Sequence, residues 1–161
     1  MTISVGTELP QATFHHTGED GPSTAGTSDI VSGKKVVLFG VPGAFTPTCH
    51  MNHLPGFVEH SDAIKAKGVD EIAVVSVNDV FVMDAWSGVS GAEGKVKFLA
   101  DPNAEFTKAI GMELDLTERG LGVRSKRYAM IVEDGKVTTL NIEDNPGQAV
   151  ESTAEKILEA L

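Results

Sequence analysis

Two runs of unbroken apolar sequence constrain the fold of this chain more than any other feature. Val36, Val37, Leu38 and Phe39 are consecutive within residues 34–41, and Val74 and Val75 centre a second run over residues 72–77. A strand that buries one face alternates apolar with polar residues, whereas a strand buried on both faces does not. Both segments therefore predict central strands with helices packed on either side. Between them, residues 52–67 bring Leu54, Phe57, Val58, Ser61 and Ile64 to one side of a 3.6-residue repeat. Pro55 falls early in that repeat, where a missing N–H costs little, and Gly68 is placed to stop it.

Further elements extend the pattern. Residues 95–100, 127–132 and 136–142 predict strands, the last two joined across Glu133-Asp134-Gly135 as a hairpin. Residues 79–86 and 103–110 predict helices, the second with Asn103 as its cap and Gly111 as its stop. Residues 148–161 align Val150, Ala154, Ile157, Leu158 and Leu161 along one stripe. Residues 17–28, 88–94 and 116–125 read as flexible connections, the first long enough for part of it to form a hairpin edge. The expected class is α/β: a mixed central sheet of at least five strands flanked by helices. A length of 161 residues without a shift in composition predicts a single domain over 1–161.

Charge narrows the partners. Thirteen Lys and Arg against 23 Asp and Glu leave a net charge of −10, which repels phosphate backbones and argues against nucleic acid. No apolar run is long enough to span a bilayer, no basic amphipathic stretch suggests membrane binding, and residues 1–10 lack the pattern of a signal peptide. Cys49 is the only cysteine. An internal disulfide and an all-cysteine metal cluster are therefore excluded within one chain. The expected compartment is reducing, with the cytoplasm as the default location.

That cysteine sits in Gly40-Val-Pro-Gly-Ala-Phe-Thr-Pro-Thr-Cys49-His-Met-Asn-His53, after a buried strand and before a helix. A lone cysteine is commonly a small core residue. At a strand–helix junction, however, free backbone N–H groups and the helix dipole favour a thiolate. Thr46, three residues earlier, places a hydroxyl on the same turn, and Pro42 and Pro47 stiffen the loop. No Lys or Arg occurs between Lys35 and Lys65, so a positive partner must arrive through the fold. The candidates are Arg119, Arg124, Lys126 and Arg127, of which Arg127 opens a strand able to lie beside residues 36–41.

His53, four residues past the cysteine, leaves a Cys–His acyl-transfer reading open. A satisfied structural histidine is the plainer account. His50, next to the cysteine, is expected to point away from it; His15, His16 and His60 have no evident metal-ligand partners, and no metal or cofactor is expected. A dithiol reductase needs Cys-x-x-Cys, whereas this chain reads Thr46-x-x-Cys49.

The segment Pro42-Gly-Ala-Phe-Thr46-Pro-Thr-Cys49 resembles the peroxiredoxin signature Pro-x-x-x-Thr-x-x-Cys. Residues 38–57 as a whole are similar to the type II, or peroxiredoxin-five-like, subgroup. So are Asn78-Asp79-x-Phe81-Val-Met83-x-Ala-Trp86, Leu99-Ala-Asp101-Pro and the stretch from Arg124 to Gly135. The resemblance implies a thioredoxin-like fold with an N-terminal hairpin addition. It implies that Cys49 is the peroxidatic nucleophile, that Thr46 hydrogen-bonds sulfur and peroxide, that Arg127 orients both, and that Pro42 shields the pocket. His53 would lie near the pocket. Phe45 and Phe81 would lie at the contact of a homodimer.

Substrates implied are hydrogen peroxide and alkyl hydroperoxides, reduced through a sulfenic acid on Cys49, with backbone N–H groups near Thr48 and Cys49 helping to hold the developing charge. With no second cysteine, an external thiol must close the cycle: glutathione with glutaredoxin first, thioredoxin second. The competing readings are a thioredoxin-like binding or chaperone protein without peroxidase activity and, less favoured, a Cys–His hydrolase.

Overall fold

The two apolar runs become the central parallel strands of a seven-stranded sheet in the computed structural model, which describes residues 2–161. In chain order the elements are β1 (Thr13–Gly18), β2 (Gly21–Gly26), α1 (Thr27–Val31), β3 (Lys35–Val41), a π-helical turn (Cys49–His53), α2 (Leu54–Glu59) and α3 (Ser61–Ala66). There follow β4 (Glu71–Ser76), α4 (Val80–Val89), β5 (Lys97–Ala100), α5 (Glu105–Ala109), β6 (Glu113–Leu116), a 3-10 turn (Thr117–Arg119) and β7 (Gly122–Ser125). The chain ends with β8 (Tyr128–Glu133), β9 (Lys136–Ile142) and α6 (Ala154–Ala160). The strand order is β2-β1-β5-β4-β3-β8-β9, and β6 pairs with β7 apart from it. β3, β4 and β5 run parallel, whereas β1, β2, β8 and β9 join antiparallel, so the sheet is mixed as expected.

Unbroken apolar sequence in β3 serves two cores at once. Val37, Phe39 and Val41 face Leu54, Phe57, Ile64, Trp86 and Ile157, from α2, α3, α4 and α6. Val36 and Leu38 face Phe14, Ile30, Phe106, Ile110 and Met130, on the side of α1 and α5. Side chains alternate across the pleat, so each face needs its own apolar set. Because β3 is central, its C-terminal end opens between β4 and β8, and the loop that follows carries the cysteine.

Several local expectations are corrected. Residues 52–67 are not one helix. The cysteine turn is π-helical, closed by Leu54 N–H donating to the Cys49 carbonyl, and α2 and α3 separate at His60. Pro55 cannot donate back along a regular α-helix and its ring crowds the preceding turn, which accounts for the widened turn just before it. Asn103 does not cap α5. Ala104 occupies the cap position in a left-handed conformation, and the Asp101 carboxylate accepts from Phe106 N–H at 3.2 Å, Thr107 N–H at 2.9 Å and the Thr107 hydroxyl at 2.7 Å.

The last helix starts at Ala154, capped by Thr153, and leaves Val150 exposed in the preceding loop. Residues 17–28 hold the end of β1, β2 and the start of α1, so the loop reading gives way and the hairpin edge expected within the segment is present. β2 is an edge strand with one buried residue, Ala25, and edges tolerate polar residues and Pro22. Residues 116–125 hold the last residue of β6, the 3-10 turn and β7, and the two paired strands are too short and too exposed for their pattern to stand out.

Candidate active site

Two separate stretches of chain meet at the Cys49 sulfur. Cys49 opens the π-helical turn and is wholly buried. The Thr46 hydroxyl lies 3.0 Å from Sγ and 2.7 Å from the Gly43 carbonyl. From β8's leading end, Arg127 reaches back and donates through Nη2 to Sγ at 3.1 Å. β8 pairs with β3 in register Gly40–Tyr128, which sets Arg127 opposite the exit of β3. The sheet therefore brings together two residues 78 positions apart that no local motif could join.

The rest of the guanidinium is held with equal care. Nε donates to the Pro146 carbonyl at 2.9 Å, and Nη1 donates to His53 Nδ1 at 3.0 Å. His53 in turn donates from Nε2 to the Ser152 carbonyl at 2.8 Å. Its ring stands among Phe39 and Phe57, with centroids 5.0 and 5.6 Å away. Burial first, and the Arg127 charge second, push its pKa from 6.5 down to about 3, against the pull of the Ser152 carbonyl. The imidazole is thus neutral, with its lone pair engaged by Arg127. It cannot deprotonate Cys49, which removes the geometry a Cys–His hydrolase needs. The histidine that the resemblance placed near the pocket is hydrogen-bonded to the arginine.

Arg127 is 2% exposed, and among the described residues no carboxylate comes within 4 Å of it. A buried cation without a counter-ion is costly unless an anion can be supplied. The nearest group able to become one is the Cys49 sulfur.

Around this centre, Pro42 is buried and its carbonyl receives a 3.5 Å contact from Arg124 Nη1. Thr48 is half-buried and donates its hydroxyl to the Gly147 carbonyl at 2.7 Å. Gly43 fits a place no other residue could take unchanged, since a Cβ there would stand 2.8 Å from Arg124 Nη1 and 3.0 Å from the Thr46 methyl. Asn78 pins the loop by accepting from Ala44 N–H at 3.0 Å and from the Ser76 hydroxyl at 2.6 Å. Phe45 adopts a left-handed φ of 64°, uncommon for an aromatic residue, and packs on His50 and Trp86. Trp86 Nε1 donates to His50 Nδ1 at 3.0 Å, tying α4 to the residue after the cysteine. Phe81, on the same helix, is 71% exposed. Arg119 and Lys126 make no contact with the sulfur.

Sequence reading missed the segment after β9. Pro146, Gly147 and Ser152 each offer a backbone carbonyl to the site. Backbone carbonyls belong to every residue, so no side-chain pattern announces them.

Comparison with known proteins adds an independent line. The Redoxin family matches residues 4–158. The chain is 50% identical to Peroxiredoxin-2B of Arabidopsis thaliana over 160 residues, covering 99% of this chain and 98% of that one. It superimposes on the crystal structure of reduced Prx3 in complex with H2O2 from Vibrio vulnificus with a TM-score of 0.94, at 51% identity and 99% coverage of both chains. It is equally similar, at 50%, to "Peroxiredoxin-2E-2, chloroplastic" of Oryza sativa subsp. japonica, covering 99% of this chain and 73% of that one. This last likeness overturns the expectation of a cytoplasmic location. A single cysteine reports reducing surroundings, which more than one compartment provides.

Proposed function

The chain belongs to the redoxin family and is a peroxiredoxin, a thiol peroxidase, and from that premise we propose that Cys49 is its nucleophile, with Thr46 and Arg127 as its catalytic partners. The observation that carries this reading is the buried Arg127 guanidinium, without a carboxylate, donating to the sulfur at 3.1 Å. Arg127 treats the sulfur as an acceptor, the role a thiolate fills, and the single Thr46 hydroxyl proton has the sulfur and the Gly43 carbonyl as its two acceptors.

The thiolate attacks the terminal oxygen of a hydroperoxide. An S–O bond forms, the O–O bond breaks, and its electron pair leaves on the second oxygen. The proton of the attacked oxygen moves to the leaving oxygen, giving water or an alcohol and a sulfenate on Cys49. No histidine base is required, consistent with the engagement of both His53 nitrogens. Of the five guanidinium N–H groups, the contacts to Cys49, His53 and Pro146 use three, which leaves two for the substrate oxygens. The amides that open the turn at Thr48 and Cys49 add donors without an intrahelical acceptor. Pro42 closes the pocket from the loop side.

The sulfenic acid then condenses with an external thiol, releasing water and forming a mixed disulfide. A second thiol restores Cys49 and leaves as the oxidised donor disulfide. The absence of any second cysteine supports this route, with glutathione and glutaredoxin as the preferred donor pair and thioredoxin as the second. Because the sulfur is wholly buried, the π-helical turn must open to admit a bulky thiol. We read residues 1–161 as one peroxiredoxin domain working as a homodimer through Phe45 and Phe81.

An anaerobic assay of peroxide consumption with glutathione alone, glutathione plus glutaredoxin, or thioredoxin tests the cycle. Native protein is expected to turn over with added thiol and to carry one extra oxygen on Cys49 in a mass spectrum taken before the thiol is added. Cys49→Ser is expected to fold and to lose turnover entirely. Full peroxide consumption by that variant would end this reading.

A further inference from the structure

Three backbone carbonyls from one irregular segment hold the active site, and a single buried carboxylate holds that segment. Residues 143–153 follow β9 without regular structure. Left to itself, such a stretch has no reason to keep the Pro146, Gly147 and Ser152 carbonyls aimed at Arg127, Thr48 and His53. Glu143 supplies the reason. It is 6% exposed, and its Oε2 accepts four hydrogen bonds: Val150 N–H at 2.9 Å, Glu151 N–H at 2.7 Å, Ser152 N–H at 2.6 Å and the Ser152 hydroxyl at 2.6 Å. Among the described residues no Lys or Arg pairs with it. Its burial is compensated by three amide donors and one hydroxyl, hydrogen bonds that count for most where water is excluded.

The backbone of Glu143 is joined to the site as well. Its N–H donates to the Arg127 carbonyl at 3.0 Å, one step beyond the β8–β9 pair Tyr128–Ile142. One residue therefore grips Arg127 by its main chain and, through its carboxylate, anchors the loop that grips Arg127 by its side chain. Ser152 transmits the hold most directly, since its N–H and hydroxyl bind Glu143 while its carbonyl binds His53, whose Nδ1 meets Arg127.

We propose that Glu143 is a positioning residue for the peroxidase reaction: it folds the 143–153 segment into a clasp that fixes Arg127 against Cys49. This rests on the role assigned to Arg127 above. Glu143 touches neither sulfur nor substrate and acts only through the arginine.

A double-mutant cycle separates positioning from general support of the fold. Anaerobic stopped flow with hydrogen peroxide reads the rate of Cys49 oxidation in native protein, Glu143→Ala, Arg127→Ala and the double variant, with folding checked by circular dichroism. Glu143→Ala is expected to slow oxidation about tenfold when Arg127 is present, and less than about twofold when Arg127 is absent. Glu143→Gln, which keeps the shape and a neutral acceptor, is expected to recover part of the rate. Equal fractional losses in both arginine backgrounds overturn the proposal, as does a native rate in Glu143→Ala. Should the alanine variant fail to fold, the glutamine variant decides: slower oxidation only in the presence of Arg127 supports the clasp, and a native rate overturns it. Native protein that ignores peroxide would defeat the peroxidase reading itself, a result distinct from a reactive native protein whose Glu143 variants react equally fast.

Discussion

His53 commits both ring nitrogens to its neighbours, and a pH dependence follows at the residue scale. In the unfolded chain the imidazole takes up a proton as pH falls through 6.5, whereas in the folded chain burial and Arg127 delay this until about 3. Between those values the unfolded state binds more protons. The stability contributed by neutral His53 is therefore complete above pH 6.5 and is lost as pH falls toward 3, at up to about 1.4 kcal/mol per unit. Urea unfolding at pH 7 and pH 4.5 checks this. Native protein should lose more of its midpoint than His53→Gln, and equal losses would remove His53 as the cause. The cysteine and threonine were legible at this scale because three residues of spacing put them on one turn. The use of His53 as an arginine holder was not, since both its partners lie on strands and loops distant in sequence.

Among the elements, the β3–β8 pair carries the demand for close approach. Gly40 and Tyr128 are cross-strand partners, and a Cβ at Gly40 would fall 2.2 Å from Tyr128 Cε1 and 2.5 Å from Cζ. The ring is fully buried, and burial with the Asp101 charge beyond it holds the phenol above its ordinary range. Neither β3 nor β8 can move without displacing Cys49 or Arg127. Gly40→Ala is thus expected to cost about 1–3 kcal/mol, seen as a fall of several degrees in a thermal melt. An unchanged midpoint would mean that the tyrosine yields freely. The strand runs 34–41 and 72–77 were readable because burial on both faces demands unbroken apolar sequence. The β6–β7 pair was not, and β2 only as a hairpin edge, because little of their surface is buried. The break between α2 and α3 escaped because the apolar repeat runs through it.

For the whole molecule, a net charge of −10 on each chain opposes self-association, and an apolar contact must overcome that repulsion. Phe81, at 71% exposure, and Phe45, packed on Trp86 of the same helix, offer such a surface beside the cysteine turn. Phe81→Asp adds a charge to it. Sedimentation should find twice the chain mass for native protein and a single chain for the variant, with the native assembly favoured by added salt. A native protein that sediments as one chain under all conditions would remove the dimer from the account.

By itself, the sequence determined the layered α/β arrangement, because hydrophobic periodicity dictates which faces are buried. It determined which residue the proposed nucleophile has to be, because only one thiol exists, and it excluded a resolving cysteine within the chain. Only the tertiary structure decided how the arginine is held. That depends on strand register, on carbonyls that every residue possesses, and on a carboxylate held by amides and a hydroxyl, none of which leaves a periodic mark along the chain.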